Sequence, residues 1–255
     1  MNKRITDSAL FLLGLCLGLG CQEEYKFLVV TAQVAKSLEV ESNTATVLVG
    51  RTRLLNLFIE QPIDTNFTDD LPATVEPVSQ ALVSVSEIVL PEKTKGVYFK
   101  AGLELEYKKR HNLLIITGTD TITGSCVLPD SFSIVEPKNG ETLTFTNIRV
   151  VWSKSDSAER YIIGLSPIDT ANKAEGFSAS VKDTFCLIPE AACKDSAGNF
   201  FPGRYLIDLM AINGAWKKGS QDLFLSGGNL QGARGIYGAV IYARRVMIEV
   251  SPSGH

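Results

Sequence analysis

The chain has 255 residues, a formal net charge of −3, 45% hydrophobic and 21% charged residues, five cysteines and two histidines. A mildly acidic chain is not built to neutralise a phosphate backbone, so nucleic acid is excluded as a partner. With only two histidines, His111 and the terminal His255, a zinc site is not expected, nor is a cofactor.

The first segment joins a short positive region, Lys3-Arg4, to an uncharged apolar run from Ala9 to Gly20. As a helix that run would rise about 18 Å, against about 30 Å of bilayer hydrocarbon, so it suits a signal-peptide core and not a membrane span. It ends Gly18-Leu19-Gly20-Cys21, followed by Gln22-Glu23-Glu24. This resembles a lipobox, the cleavage signal of bacterial lipoproteins, although Gly18 stands where that signal usually has an aliphatic residue. The resemblance implies a lipoprotein signal peptide over 1–20, lipid on Cys21, a lipidated linker over 21–26, and a membrane as partner through that lipid. Proteins of this kind that stay in the inner membrane typically carry Asp after the cysteine. Gln22 therefore implies the outer membrane, and Glu23-Glu24 resembles a surface-export tag. Removing Lys3, Arg4 and Asp7 with the signal peptide takes the charge from −3 to about −4.

Beyond residue 26 the periodicity is that of strands. Runs such as FLVVTAQV, TATVLVG, ALVSVSEIVL, NLLIITG, IRVVWS, RYIIGLS, RYLIDLMAI and VIYARRVMIEV are parted by Gly, Pro, Asn and Asp at intervals near ten residues. No capped helical stripe interrupts them. The expected fold is all-β: two antiparallel β-sandwich domains, over 27–129 and 130–255, meeting at Leu128-Pro129-Asp130-Ser131.

In the first half, Val78-Ser79-Gln80-Ala81-Leu82-Val83-Ser84-Val85 resembles a strand of transthyretin-like and carboxypeptidase-regulatory-like domains. Gly96-Val97-Tyr98 and the stretch from Tyr107 to Ile116 fit the strands that follow. Lys108-Lys109-Arg110 reads as a solvated turn. In the second half, Tyr205, Ile207, Leu209 and Ala211 alternate onto one face. With Pro137, Gly140, Trp152, Ala158 and Tyr161 they resemble a fibronectin type III or related immunoglobulin-like domain. That resemblance implies a core tryptophan at Trp152 and a tyrosine corner at Tyr205, its hydroxyl held by nearby backbone. A glycine-rich insertion over 214–238 departs from the pattern. It contains Asn229-Leu230-Gln231-Gly232-Ala233-Arg234-Gly235-Ile236-Tyr237-Gly238. The order of the whole chain resembles a family of uncharacterised bacterial outer-membrane lipoproteins, in which such a segment precedes the last strand. The resemblance implies location and architecture and no chemistry.

No catalytic constellation stands out. His111 reads as part of a polar turn, KKRHN, and no G-x-S-x-G is present, so Ser–His hydrolysis is not expected. The glycines at 227, 228, 232, 235 and 238 lack the Lys-Ser/Thr of a phosphate loop, and they read as positions of positive φ and close backbone approach. Asp64 to Asp70 starts like a calcium loop but has Asp69 for the required Gly and Val75 for the closing Glu, so it reads as a solvated loop. Cys186 and Cys193 are close enough in sequence to close a local disulfide in an oxidising compartment. Trp216, in the insertion, is the one candidate ligand contact, able to stack on a sugar ring or a partner protein. The favoured reading of it and of Phe201 is that they plug the ends of a sandwich. The expected function is therefore non-catalytic: a membrane-anchored lipoprotein that binds or scaffolds an envelope protein or glycan. The alternative is a glycan-binding accessory module or a cryptic carboxylate-dependent glycan-active enzyme.

Overall fold

A computed structural model describes residues 26–40, 42–53, 75–118, 120–169, 171–214 and 229–252. Among them the regular elements are strands, apart from one 3-10 turn over Glu190–Cys193. The first half contributes β1 (Lys26–Ser37), β2 (Asn43–Arg53), β3 (Glu76–Pro77), β4 (Leu82–Val85), β5 (Ile88–Val89), β6 (Glu92–Thr94), β7 (Val97–Ala101), β8 (Arg110–Thr117) and β9 (Asp120–Val127). The second contributes β10 (Ile134–Glu136), β11 (Thr142–Thr144), β12 (Ile148–Trp152), β13 (Arg160–Pro167), β14 (Phe177–Val181), β15 (Phe185–Ile188), β16 (Gly203–Gly214), β17 (Leu230–Gln231), β18 (Arg234–Tyr242) and β19 (Val246–Ser251). The all-β expectation holds.

Three sheets result. A large one of 11 strands follows the path β11-β19-β16-β18-β1-β2-β7-β6, with β13 and β14 attached through β16 and β3 through β2. A five-stranded sheet runs β17-β9-β8-β4-β5, and a three-stranded one β10-β12-β15. The inward faces follow from alternation. Tyr205, Ile207, Leu209 and Ala211 of β16 pack with Tyr161, Ile163 and Leu165 of β13 against Val150, Trp152 and Ile188 of the three-stranded sheet. Trp152 meets Tyr161 edge-on at 5.4 Å between ring centroids, a geometry suited to the ring quadrupoles. The Tyr205 hydroxyl donates to the Phe201 carbonyl at 2.6 Å and accepts from Asn172 Nδ2 at 3.2 Å. The backbone bond expected for that tyrosine is made.

Two features differ from the sequence expectation. Most pairings are antiparallel, but β1 runs parallel to β18 from Val29↔Arg234 to Ser37↔Tyr242, and β11 parallel to β19. Parallel neighbours need long crossovers, and β1 and β18 lie at opposite ends of the described chain. They are buried on both faces: Val29 and Val30 of β1, and Tyr237 and Val240 of β18, are all nearly inaccessible. Strands at the centre of a sheet covered on both sides read as continuous apolar runs. The division near residue 129, second, is crossed by hydrogen bonds: β1 pairs with β18, and β17 pairs with β9 through Leu230↔Gly124 and Gln231↔Thr123.

The connection between the halves is itself fastened. Leu128 is fully buried, its carbonyl accepts from Lys108 N at 2.8 Å, and Asp130 N donates to the Asp156 carbonyl at 2.9 Å. Lys108 Nζ lies 2.8 Å from Asp130 and 3.6 Å from Asp156, and the bonded Lys108 ammonium holds the Asp130 carboxyl below the usual carboxylate range. Phe132 packs on Tyr161 with its ring tilted, the centroids 5.7 Å apart. The turn at Lys108-Lys109-Arg110 thus carries its charge into ion pairs and a contact with Ser125, with Lys109 near Glu106.

Candidate functional site

The glycine-rich segment is the joint of the molecule. Asn229 behaves as a strand residue through its side chain: Nδ2 donates to the carbonyls of Ser125, at 2.8 Å, and Tyr237, and Oδ1 accepts from Tyr237 N at 3.1 Å. One amide therefore ties β9 to β18. Asn213, at the end of β16, adds a second tie. Its Oδ1 accepts from Val127 N at 2.9 Å and its Nδ2 donates to the Ser157 carbonyl at 2.8 Å. The glycines exist for close approach. Gly235, at φ +124, would place a Cβ on the carbonyl of Val30, and Gly232, at φ +86, on that of Thr121. At Gly124 a Cβ would meet Leu230 Cδ2 at 2.7 Å. Gly232 and Gly235 are thus structural, as read from the sequence; positions 227 and 228 lie outside the described residues.

Under this joint Tyr237 and Cys126 are buried side by side. Burial pushes the Cys126 thiol up to about 12, and burial with the thiol beside it pushes the Tyr237 phenol up as well. Both shifts hold the buried pair in its neutral form near pH 7.

On the same large sheet, a groove of about 400 Å³ opens where β1 and β18 end beside the middle of β16, lined by Ser37, Glu39, Asp208, Met210, Tyr242 and Arg245. β16 changes partner here, from β18 at Met210↔Tyr242 to β19 at Ile207↔Val246. The Arg245 Nε spans the groove between Asp208 Oδ1 at 2.6 Å and Glu39 Oε2 at 3.7 Å. Gln33 Nε2 donates to the Tyr242 hydroxyl at 3.4 Å. Both carboxylates face the same guanidinium, an arrangement that can exchange ion-pair partners with a small charged ligand. These residues lie far apart in sequence, and no spacing announces them.

The residues singled out from the sequence are dispersed. Cys21 and Trp216, and the segment from Asp64 to Asp70, lie outside the described residues. The disulfide expected between Cys186 and Cys193 is not formed: both are free, buried thiols. Cys186 is fixed by alternation in β15, with its Sγ near the Leu187 carbonyl at 3.7 Å. Cys193 belongs to the 3-10 turn and faces the Tyr205 hydroxyl. Proximity along the chain does not bring them together.

His111 also departs from expectation. It is not in a solvated turn but on β8, buried and paired with Cys126 in register. The Ser86 hydroxyl donates to Nδ1 at 2.9 Å, and Nε2 contacts the Glu106 carbonyl at 3.3 Å, so the neutral ring is satisfied on both sides. Burial holds the imidazole below its ordinary 6.5. The unfolded ring takes a proton more readily, so this residue's contribution to stability is intact above pH 6.5 and lost as pH falls through and below that value. The difference in urea-unfolding free energy between wild type and His111→Gln should shrink from pH 7 to pH 5. A difference that stays constant would show that His111 does not titrate on unfolding.

Among the described residues no group of three His, Cys, Asp or Glu side chains is placed to hold a metal ion. No helix there is long and apolar enough to cross a membrane. In comparisons with known proteins, the chain matches no family model and no curated protein.

Proposed function

We propose that this chain is a lipid-anchored lipoprotein of the bacterial outer envelope, in which two β-sandwich modules fused along one sheet serve as a non-catalytic binding or scaffolding body. The location rests on Lys3-Arg4, the run Ala9–Gly20 and Cys21. The observation that carries the scaffolding role is the joint: two half-buried asparagine clamps, two strand pairings and the Lys108–Asp130 ion pair all fix one half against the other. A hinge would leave these groups to water, whereas a scaffold that presents two surfaces at a set spacing needs them. The immunoglobulin-like reading of the second module is supported by the strand order β10-β12-β15 opposite β14-β13-β16-β19, with Trp152 between them.

Cys21 stands five positions before Lys26, the first of β1, and five steps of chain span at most about 17 Å. Lipid on Cys21 would hold the body near the membrane surface, with the central strand as its point of attachment.

The test is acyl-chain labelling of cells expressing wild type and Cys21→Ala, with protease shaving of intact cells in parallel. The wild type should incorporate the label and fractionate with membranes, and the variant should do neither. Digestion of labelled wild type from outside would assign it to the cell surface, and protection would assign it to the periplasmic face. An unlabelled wild type would overturn the lipoprotein reading.

A further inference from the structure

We propose that the outer face of the five-stranded sheet, around Leu82 and Ile116, rests on the lipid surface to which the chain is tethered. The contact rests on the lipid at Cys21 proposed above and gives the bilayer a particular face of the body. Alternation sends Val83, Leu113, Ile115 and Ile122 into the core and turns Leu82, Leu114 and Ile116 to the other side of the sheet. Leu82 pairs with Ile116, and Ser84 stands between Leu114 and Val89. The apolar members are open to solvent: Leu82 is 47%, Val89 53% and Ile116 36% exposed. β9 completes the face with Thr121 and Thr123, opposite Ile116 and Leu114. From the Thr117–Asp120 hairpin as far as Asn112 and Ser125, no strand residue on this face is charged.

Two ties place this face beside the anchor. Arg51, the partner of Leu28 near the start of β1, reaches Asp120 of the hairpin at 2.9 Å. From β9 the sheet continues to β8 and β4, so the strand that carries Leu82 runs only about 10 Å from the one that carries Asp120. Gly232, whose added Cβ would fall on the Thr121 carbonyl, stands two residues before Arg234, the partner of Val29. The first residues of β1 and the Thr121–Ile116–Leu82 row therefore share one end of the molecule, and Cys21 is within about 17 Å of Lys26. Val40, 69% exposed, marks the opposite end. It follows β1, about 36 Å of strand away from Lys26.

The tether is what lets so small a face hold. A body already attached to the bilayer docks in an intramolecular step, without a further loss of translational freedom. Leucine, isoleucine and valine side chains gain by leaving water at the boundary of the acyl chains. A threonine hydroxyl there can bond to headgroup oxygens while its methyl group stays among apolar neighbours. Since the face carries no charge, the contact is apolar and escapes screening by salt.

The experiment places a nitrobenzoxadiazole probe on Ile116→Cys, Leu82→Cys or Val40→Cys in the full-length acylated protein, reconstituted into phosphatidylethanolamine–phosphatidylglycerol vesicles. Wild type carried through the same labelling gives the background, since Cys126, Cys186 and Cys193 are buried. Spin-labelled lipid should quench the probes at 116 and 82 about twofold or more beyond the one at 40. Leu82→Asp with Val89→Asp, both at exposed positions, should return the probe at 116 to the level of that at 40, because charge at the boundary lifts the face. Circular dichroism should stay unchanged. Equal quenching at all three positions in acylated protein overturns the proposal and leaves the anchor standing. Quenching that survives the two aspartates overturns it too, since the tether alone would then explain it. So does a probe at 116 that leaves water without lipid quenching as protein concentration rises, which would assign the face to a second copy. Mass spectrometry of Cys21 in the same preparation reads the anchor separately: an unacylated cysteine overturns the lipoprotein reading, and this contact with it.

Discussion

Replacing Gly235 with alanine should destabilise the protein by more than about 4 kcal/mol, a loss comparable to the whole stability of many domains. Two penalties coincide there. The φ of +124 is a conformation that side chains rarely adopt, a strain of about 1–3 kcal/mol. The added Cβ would also land on the Val30 carbonyl and within 3.0 Å of Val30 N, all backbone of β1. Gly235 pairs with Val30 in the parallel ladder, so backbone cannot yield there without opening the seam between β1 and β18. Gly102→Ala separates the two penalties. Gly102 has φ +70 but open space around it, so its variant carries the strain alone and should lose only about 1 kcal/mol. Urea-unfolding midpoints of both variants against wild type measure the difference. Equal losses would mean that the seam yields to a methyl group and that the two halves are less firmly joined than their hydrogen bonds suggest.

What the sequence reveals here is the face of each strand, and what it conceals is each strand's partner. Tyr205, Ile207, Leu209 and Ala211 point inward as their alternation demands, and Trp152 and Tyr161 meet in the core. Alternation also held the signal that His111 is buried, since it is in phase with Leu113 and Ile115 on β8. The polar letters around it masked that phase. By contrast, nothing in a period of two says that β1 joins a strand 200 residues later. The one hint is that both strands are apolar on both faces, which asks for cover on both sides. The Cys186–Cys193 expectation erred similarly, because distance along the chain was taken for distance in space. The groove is less legible still. Glu39, Asp208 and Arg245 are ordinary surface residues until the partner change of β16 gathers them.

Asn229 is where a single side chain should count for most. Asn229→Ala removes the donors to the Ser125 and Tyr237 carbonyls and the acceptor for Tyr237 N. Orphaned buried groups are penalised by about 1–3 kcal/mol each. Asn229 is half-buried, so water can satisfy some of them, and the net loss should be about 3 kcal/mol. Asn229→Asp is the sharper comparison because it preserves size and keeps an acceptor for Tyr237 N. It also sets a carboxylate oxygen against two carbonyl oxygens, where an N–H₂ had bridged them. If the clamp works through its two donated bonds, Asp should be no better than Ala at neutral pH. Unfolding free energies should then group the two variants together, and hydrogen exchange at the Tyr237 amide should quicken in Ala more than in Asp, which still accepts from it. Full stability in Asn229→Asp would show that the accepted bond alone holds the joint, and that the tie to β9 through Ser125 is dispensable.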